Sequence, residues 1–187
     1  MVVVVLLLWG VTPAPAQSVT SGAWFSAGGG VGWAGGFPVD GALAAPSGYV
    51  RGGWALNDQV RLGAEFDAWR PSPDDLDYRT AYRMYNLAAT VTFYPAAYPG
   101  LHLRAGAGLG IVAGDVDLYK GLLLDAAKGP GFVVGLGYDV PVGRHVSITP
   151  TVSLWAARIG DLSSGQTVLR NNWSQHVIDI TLGVTFR

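Results

Sequence analysis

From Val177 to Phe186 apolar and polar residues alternate without a break. Ile178, Ile180, Leu182, Val184 and Phe186 fall on one side; Val177, Asp179, Thr181, Gly183 and Thr185 fall on the other. Successive side chains of an extended strand point to opposite faces, so this period predicts a strand with two different surroundings. Eight such strands are predicted, at roughly 22–33, 48–56, 60–70, 80–94, 101–113, 130–140, 145–158 and 173–186.

The direction of the alternation is informative. In the third strand Val60, Leu62, Ala64, Phe66 and Ala68 oppose Arg61, Gly63, Glu65, Asp67 and Trp69. In the fifth, Leu101, Leu103, Ala105, Ala107, Leu109 and Ile111 oppose His102, Arg104, Gly106, Gly108 and Gly110. In the seventh, Val146, Ile148, Val152 and Leu154 oppose Ser147, Thr149, Thr151 and Ser153. One face is uniformly aliphatic, and the other mixes charges, hydroxyls and glycines. A soluble barrel carries its apolar face inside and Lys and Glu outside. Here the aliphatic face suits lipid, and the mixed face suits a narrow lumen in which small residues leave room for long charged ones. Isolated charges are costly in a dry interior. Arg51, Arg61 and Arg104 are therefore expected to meet Glu65, Asp67, Asp139 and Asp179, with Arg104–Asp139 as the first pairing to look for.

Connections alternate in length. Asn57 to Gln59, Pro95 to Gly100 and Pro141 to Arg144 are short and rich in turn formers. Ala34 to Ser47, Pro71 to Arg79, Gly114 to Gly129 and Ile159 to Asn172 are longer. Short turns at one end and long loops at the other are the signature of an up-and-down transmembrane barrel with short periplasmic turns and longer external loops. Closure is expected between the first and last strands, because backbone groups in lipid must pair within the protein.

Aromatic residues add to this picture. Trp33, Trp69, Tyr78, Tyr82, Trp155 and Trp173 fall near the predicted external ends. Trp24, Phe25, Trp54, Phe93, Tyr94, Tyr98, Tyr138 and Phe186 fall near the periplasmic ends. Rings with a polar tip favour the two membrane–water boundaries, though packing between strands also collects aromatics.

Composition narrows the class further. Of 187 residues only 13% are charged, against about 25% in soluble domains. Twelve Lys+Arg against thirteen Asp+Glu leave no basic field for nucleic acid. Cysteine is absent, which excludes disulfides and thiolate chemistry. Residues 1–16 form an apolar run, Val2 to Trp9, followed by Thr12-Pro13-Ala14-Pro15-Ala16. Small residues at the −3 and −1 positions before Gln17 mark an A-x-A-like cleavage site, so 1–16 is expected to be a removed signal peptide and 17–187 the barrel domain. The run is too short and too proline-broken for a transmembrane helix.

The export segment, Ala23-Trp24-Phe25-Ser26-Ala27-Gly28-Gly29-Gly30-Val31-Gly32, the strand Leu103-Arg104-Ala105-Gly106-Ala107-Gly108-Leu109-Gly110 and the closing Leu182-Gly183-Val184-Thr185-Phe186 together resemble small eight-stranded outer-membrane barrels. These are the families of the outer membrane protein A transmembrane domain, outer membrane protein X and related surface antigens. The resemblance covers essentially all of residues 17–187. It implies residence in the bacterial outer membrane, contact with outer-membrane lipid and lipopolysaccharide, and insertion by the barrel assembly machinery, with Phe186 as the assembly signal. Arg187, after the aromatic, departs from that family's ending.

Candidate chemistry is sparse. Of the three histidines, His102 and His145 are predicted to face inward near the periplasmic end, while His176 faces lipid near the external end. Ser174 shares its face. A Ser and a His at the outer leaflet resemble lipid A deacylase barrels, which use a Ser–His–acid triad, but the order Ser-x-His is reversed and Glu65, the only Glu, is predicted to point inward on a distant strand. The acidic groups Asp74-Asp75-x-Asp77 and Asp115-x-Asp117 carry oxygen ligands that suit divalent cations, without an EF-hand spacing. No cofactor is expected. These readings lead to a non-enzymatic integral membrane protein, structural or interaction-mediating through four external loops that meet an unknown ligand. A lipid-modifying hydrolase using Ser174 and His176, and a narrow pore, stand as alternatives.

Overall fold

A computed structural model describes residues 21–35, 43–71, 81–115, 127–164 and 167–187, with side chains at 81–82, 114–115 and 161–173 left aside. The strands are β1 Gly22–Gly35, β2 Leu43–Ala55, β3 Val60–Trp69, β4 Ala81–Phe93, β5 Leu101–Asp115, β6 Ala127–Tyr138, β7 Val140–Pro141, β8 Val146–Ser164 and β9 Thr167–Phe186. Each is antiparallel to its neighbours. Only Asp139 separates β6 from β7, and both pair with β8, so together they make one stave.

The sheet closes on itself. β1 pairs with β9 from Phe25↔Phe186 to Gly35↔His176, and β6 pairs with β8. The result is an eight-stave antiparallel barrel. Closure leaves no unpaired edge, the condition under which strands can cross lipid.

Sidedness follows the alternation. Leu62, Leu103, Ile148 and Ile180 are 43%, 48%, 39% and 55% exposed on the outer wall, while Arg61, Arg104 and Asp179 are each 3% exposed in the lumen. Several strands run further than their apolar pattern, at the end away from the termini. β2 begins at Leu43, β5 continues to Asp115 and β8 to Ser164. Backbone hydrogen bonds continue a ladder whether or not its side chains still alternate. The expected loop from Ile159 to Asn172 is consequently a strand hairpin, with pairing out to Ser164↔Thr167. Gly160, which resembles a loop start in sequence, instead takes φ 85° at a register shift in this hairpin.

The lumen has two zones. Toward the far end Trp69, Trp155, Met84, Val112, Val133 and Val177 pack into an apolar plug. Toward the termini the filling is polar and charged.

Candidate functional site

The polar zone is built from inward positions of nearly every stave. Arg51, Arg61, Glu65, Asp67, Arg104, Asp139 and Asp179 are all buried. Arg104 Nε lies 2.7 Å from Glu65 Oε2, and its Nη2 donates to Ser153 Oγ at 2.8 Å. The expected Arg104–Asp139 pairing is replaced by this one. Glu65 is opposite Ala88 in register, and Ala88 is opposite Gly108, four residues beyond Arg104 on β5. Because barrel staves tilt, a hydrogen-bonded row does not run level around the lumen. A long side chain therefore meets a carboxylate from a stave that is not its neighbour.

Asp139 anchors a second cluster near the termini. Its Oδ1 accepts from Thr149 Oγ1 at 2.7 Å, and its Oδ2 accepts from Tyr94 OH at 2.9 Å and from Arg187. Arg61 Nη1 donates to Tyr94 OH at 2.7 Å and lies 4.0 Å from Asp139 Oδ2. Its guanidinium sits 4.1 Å from the Tyr94 ring centroid. Burial raises the Tyr94 phenol above its ordinary value and nearby Asp139 adds to the rise, so the hydroxyl keeps its proton and donates. His102 Nδ1 lies 3.9 Å from Asp139 Oδ1. His145, expected inside, is exposed in the turn after β7, because the chain leaves the lumen at Val142; its carbonyl accepts from the Arg187 backbone N–H at 2.9 Å.

Between and above these clusters the remaining charges find polar partners. Asn86 Nδ2 donates to Asp67 Oδ2 at 3.0 Å. Asp179 Oδ2 accepts from Trp155 Nε1 and Ser47 Oγ, both at 3.1 Å. Arg51 Nη2 donates to Thr151 Oγ1 at 3.2 Å, with its guanidinium 3.9 Å from the Tyr49 ring centroid. Tyr49 fits because Gly183 has no side chain; a methyl group there would overlap the phenol. The space left among Arg51, Arg61, Tyr94, His102 and Asp139 is about 10 Å³, scarcely enough for one water.

The sequence reading put Thr149 and Ser153 on the inward face without naming them as charge partners, and it missed Asn86, whose inward parity marks it in retrospect. Arg187 shares parity with Thr185 rather than Phe186, and that places its guanidinium at the mouth of the lumen. Trp24, Trp69 and Trp155 are buried in the lumen, not in interfacial girdles, whereas Trp33, Trp54, Tyr98, Tyr138 and Phe186 are exposed. Tyr78, Asp74, Asp75, Asp77, Asp117 and residues 1–16 lie outside the described residues, as do the side chains of Tyr82, Asp115 and Trp173.

On the outer wall Ser174 and His176 share a face. Arg158 is opposite Ser174, while Ala156 and Gly35 flank His176. None of these neighbours is a carboxylate, so among the described residues no acid from the adjacent staves holds the imidazole there. His176 lies over Gly35, where a methyl group would overlap its ring.

A closed barrel with an aliphatic exterior and a charged, filled lumen defines a small outer-membrane β-barrel protein. The chain belongs to the outer membrane protein beta-barrel domain family, whose model matches residues 4–186. No curated protein matches it in sequence. Among solved structures it is similar to Neisserial surface protein A, with 16% identity, TM-score 0.59, and coverage of 89% of this chain and 98% of that one. It is also similar to Ail, the attachment invasion locus protein of Yersinia pestis, solved with the heparin analogue sucrose octasulfate, with 13% identity, TM-score 0.55, and coverage of 88% and 97%. OprG of Pseudomonas aeruginosa matches at 14% identity and TM-score 0.50, with coverage of 88% and 95%. The protein resides in the bacterial outer membrane, with the turns 56–59, 94–100 and 142–145 at its periplasmic end and the opposite end of the barrel outside.

Proposed function

We propose that the protein is a non-enzymatic anchor. Its barrel holds external connections at the cell surface, where they contact envelope components or molecules from outside the cell. The observation that carries this reading is the filled lumen. Trp69, Trp155 and Met84 are completely or almost completely buried across its external half, and polar and charged side chains occupy the rest. Such a filled interior favours a rigid support over a transport path or a catalytic cavity. The buried network of Arg51, Arg61, Glu65, Asp67, Arg104, Asp139 and Asp179 serves to keep the staves closed. Residues 1–16 serve export and are then removed. The terminal strand, ending in Phe186, is what the barrel assembly machinery engages.

The experiment compares cells displaying the full protein with cells displaying a variant whose segments 36–42, 72–80 and 116–126 are shortened to tight turns. The probes are purified lipopolysaccharide, a sulfated glycan and an extracellular-matrix protein. Binding to one of these that disappears in the shortened variant, while heat-modifiable gel migration persists, supports the reading. Equal binding by both cell types sinks it. Fatty acid released from lipopolysaccharide by the wild type and not by Ser174→Ala would favour the hydrolase instead.

A further inference from the structure

The polar zone of the lumen contains a pocket whose donors outnumber its free acceptors. Trp24 enters it from β1, Arg51 from β2, Arg61 from β3 and His102 from β5, with Asp139 at the join of β6 and β7. Each of the five is more than nine-tenths buried. Among the described residues, Trp24 Nε1, Arg61 Nε and His102 Nδ1 have no hydrogen-bond partner. His102 Nδ1 is 3.9 Å from Asp139 Oδ1, beyond hydrogen-bond reach. An indole N–H and a guanidinium N–H can only donate, so these groups call for an acceptor. The oxygens around them are already engaged. Asp139 accepts from Thr149, Tyr94 and Arg187. Thr185 Oγ1 lies 2.8 Å from Thr149 Oγ1 and 2.9 Å from Ser26 Oγ.

Charge favours the same kind of occupant. The wall carries two guanidiniums, Arg51 and Arg61, against the single carboxylate of Asp139. A third cation, Arg187, also leans on Asp139 from the mouth of the lumen. Arg51 is held by neutral groups, the Thr151 hydroxyl and the Tyr49 ring. The deeper carboxylates have other partners: Glu65 has Arg104, Asp67 has Asn86, and Asp179 has Trp155 and Ser47. A buried cation without an opposite charge beside it is costly.

We propose that this pocket binds one halide ion, chloride under ordinary conditions. Trp24 Nε1, Arg61 Nε and His102 Nδ1 donate to it, and Arg51 supplies the second positive charge. A monatomic anion accepts from every side and has no hydrogen of its own to place. A water accepting from Trp24 and Arg61 would have to direct two hydrogens at hydroxyls already bonded to one another. The space of about 10 Å³ excludes phosphate and other polyatomic anions. A halide is only slightly wider than a water. The Arg51 guanidinium, tied by one 3.2 Å bond and a ring contact, can draw back to admit it. The donors already on Asp139 offset its repulsion of the ion. This site lies inside the barrel and is independent of the surface role proposed above, so its failure leaves that reading standing.

The test is anomalous diffraction at the bromine edge from crystals of the full protein grown in bromide. A peak is expected in the pocket, within hydrogen-bonding distance of Trp24 Nε1 and Arg61 Nε. In solution, the urea midpoint of the detergent-solubilised protein is expected to be higher in chloride than in gluconate at equal ionic strength. That difference is expected to vanish in Trp24→Phe, which removes the N–H, and in Arg51→Met, which removes the charge. Trp54→Phe, on the outer wall, is expected to keep it. Heat-modifiable migration verifies that each variant is folded. The wild-type peak is read without any variant, so a variant that fails to fold leaves the test in force. Bromide crystals without an anomalous peak in the pocket overturn the proposal, since a water then occupies it. An equal chloride effect in the wild type, Trp24→Phe and Arg51→Met also overturns it.

Discussion

Arg104 and Glu65 show most sharply how the lumen treats single charges. Each is nearly solvent-free, and each is tolerable only beside the other. Removing one partner of a buried pair strands the other, typically at a cost of about 3–5 kcal/mol. Arg104→Ala is therefore expected to lower urea stability in detergent by about that amount. Arg104→Met combined with Glu65→Gln is expected to recover most of the loss. The cycle also discriminates between partners. Coupling of about 1–3 kcal/mol is expected for Arg104 with Glu65, while Arg104 with Asp139 should be additive within about 0.5 kcal/mol. Packing limits operate beside charge. Gly183→Val is expected to crowd Tyr49 and cost about 1–3 kcal/mol, with Tyr49→Ala in the same chain relieving the clash.

At the level of the strand, period-two alternation sets which face meets lipid. On β9, Ile180→Arg places a cation near mid-bilayer, for which about 2–4 kcal/mol is typical, whereas His176→Arg at the rim should cost about 0–1 kcal/mol. Urea titration of folding into phosphatidylcholine vesicles measures both. The same alternation made the staves, their faces and the β1–β9 closure legible in sequence. It did not show where strands end. Gly160 and the asparagines near 171–172 look like turn residues, yet the hairpin continues past them because backbone pairing does not require an amphipathic face. Nor did it show which charges meet. Adjacent-strand reasoning favoured Asp139 for Arg104, while stave tilt carries Arg104 to Glu65 two staves away. Trp155 belongs to the same lesson: its parity marks it as inward, and its position near a strand end suggests a girdle. Parity won, since its N–H reaches Asp179.

Taken as a whole, the molecule is a closed wall around a filled interior. With the external half plugged by Trp69 and Trp155, the wild type is expected to give no stepwise conductance in planar bilayers. Regular single-channel steps would mean that the plug opens. The more basic claim is the inversion itself, aliphatic residues toward lipid and charges within. The absence of native cysteine allows it to be read position by position along β9. Single cysteines at 177–184, spin-labelled in lipid vesicles, report collisions with membrane-soluble oxygen and with a water-soluble nickel chelate. Labels at 178, 180, 182 and 184 are expected to collide strongly with oxygen. Those at 177, 179, 181 and 183 should be shielded from both reagents. The opposite alternation, with 178 and 180 shielded and 179 and 181 open to the nickel chelate, would contradict a lipid-facing aliphatic wall.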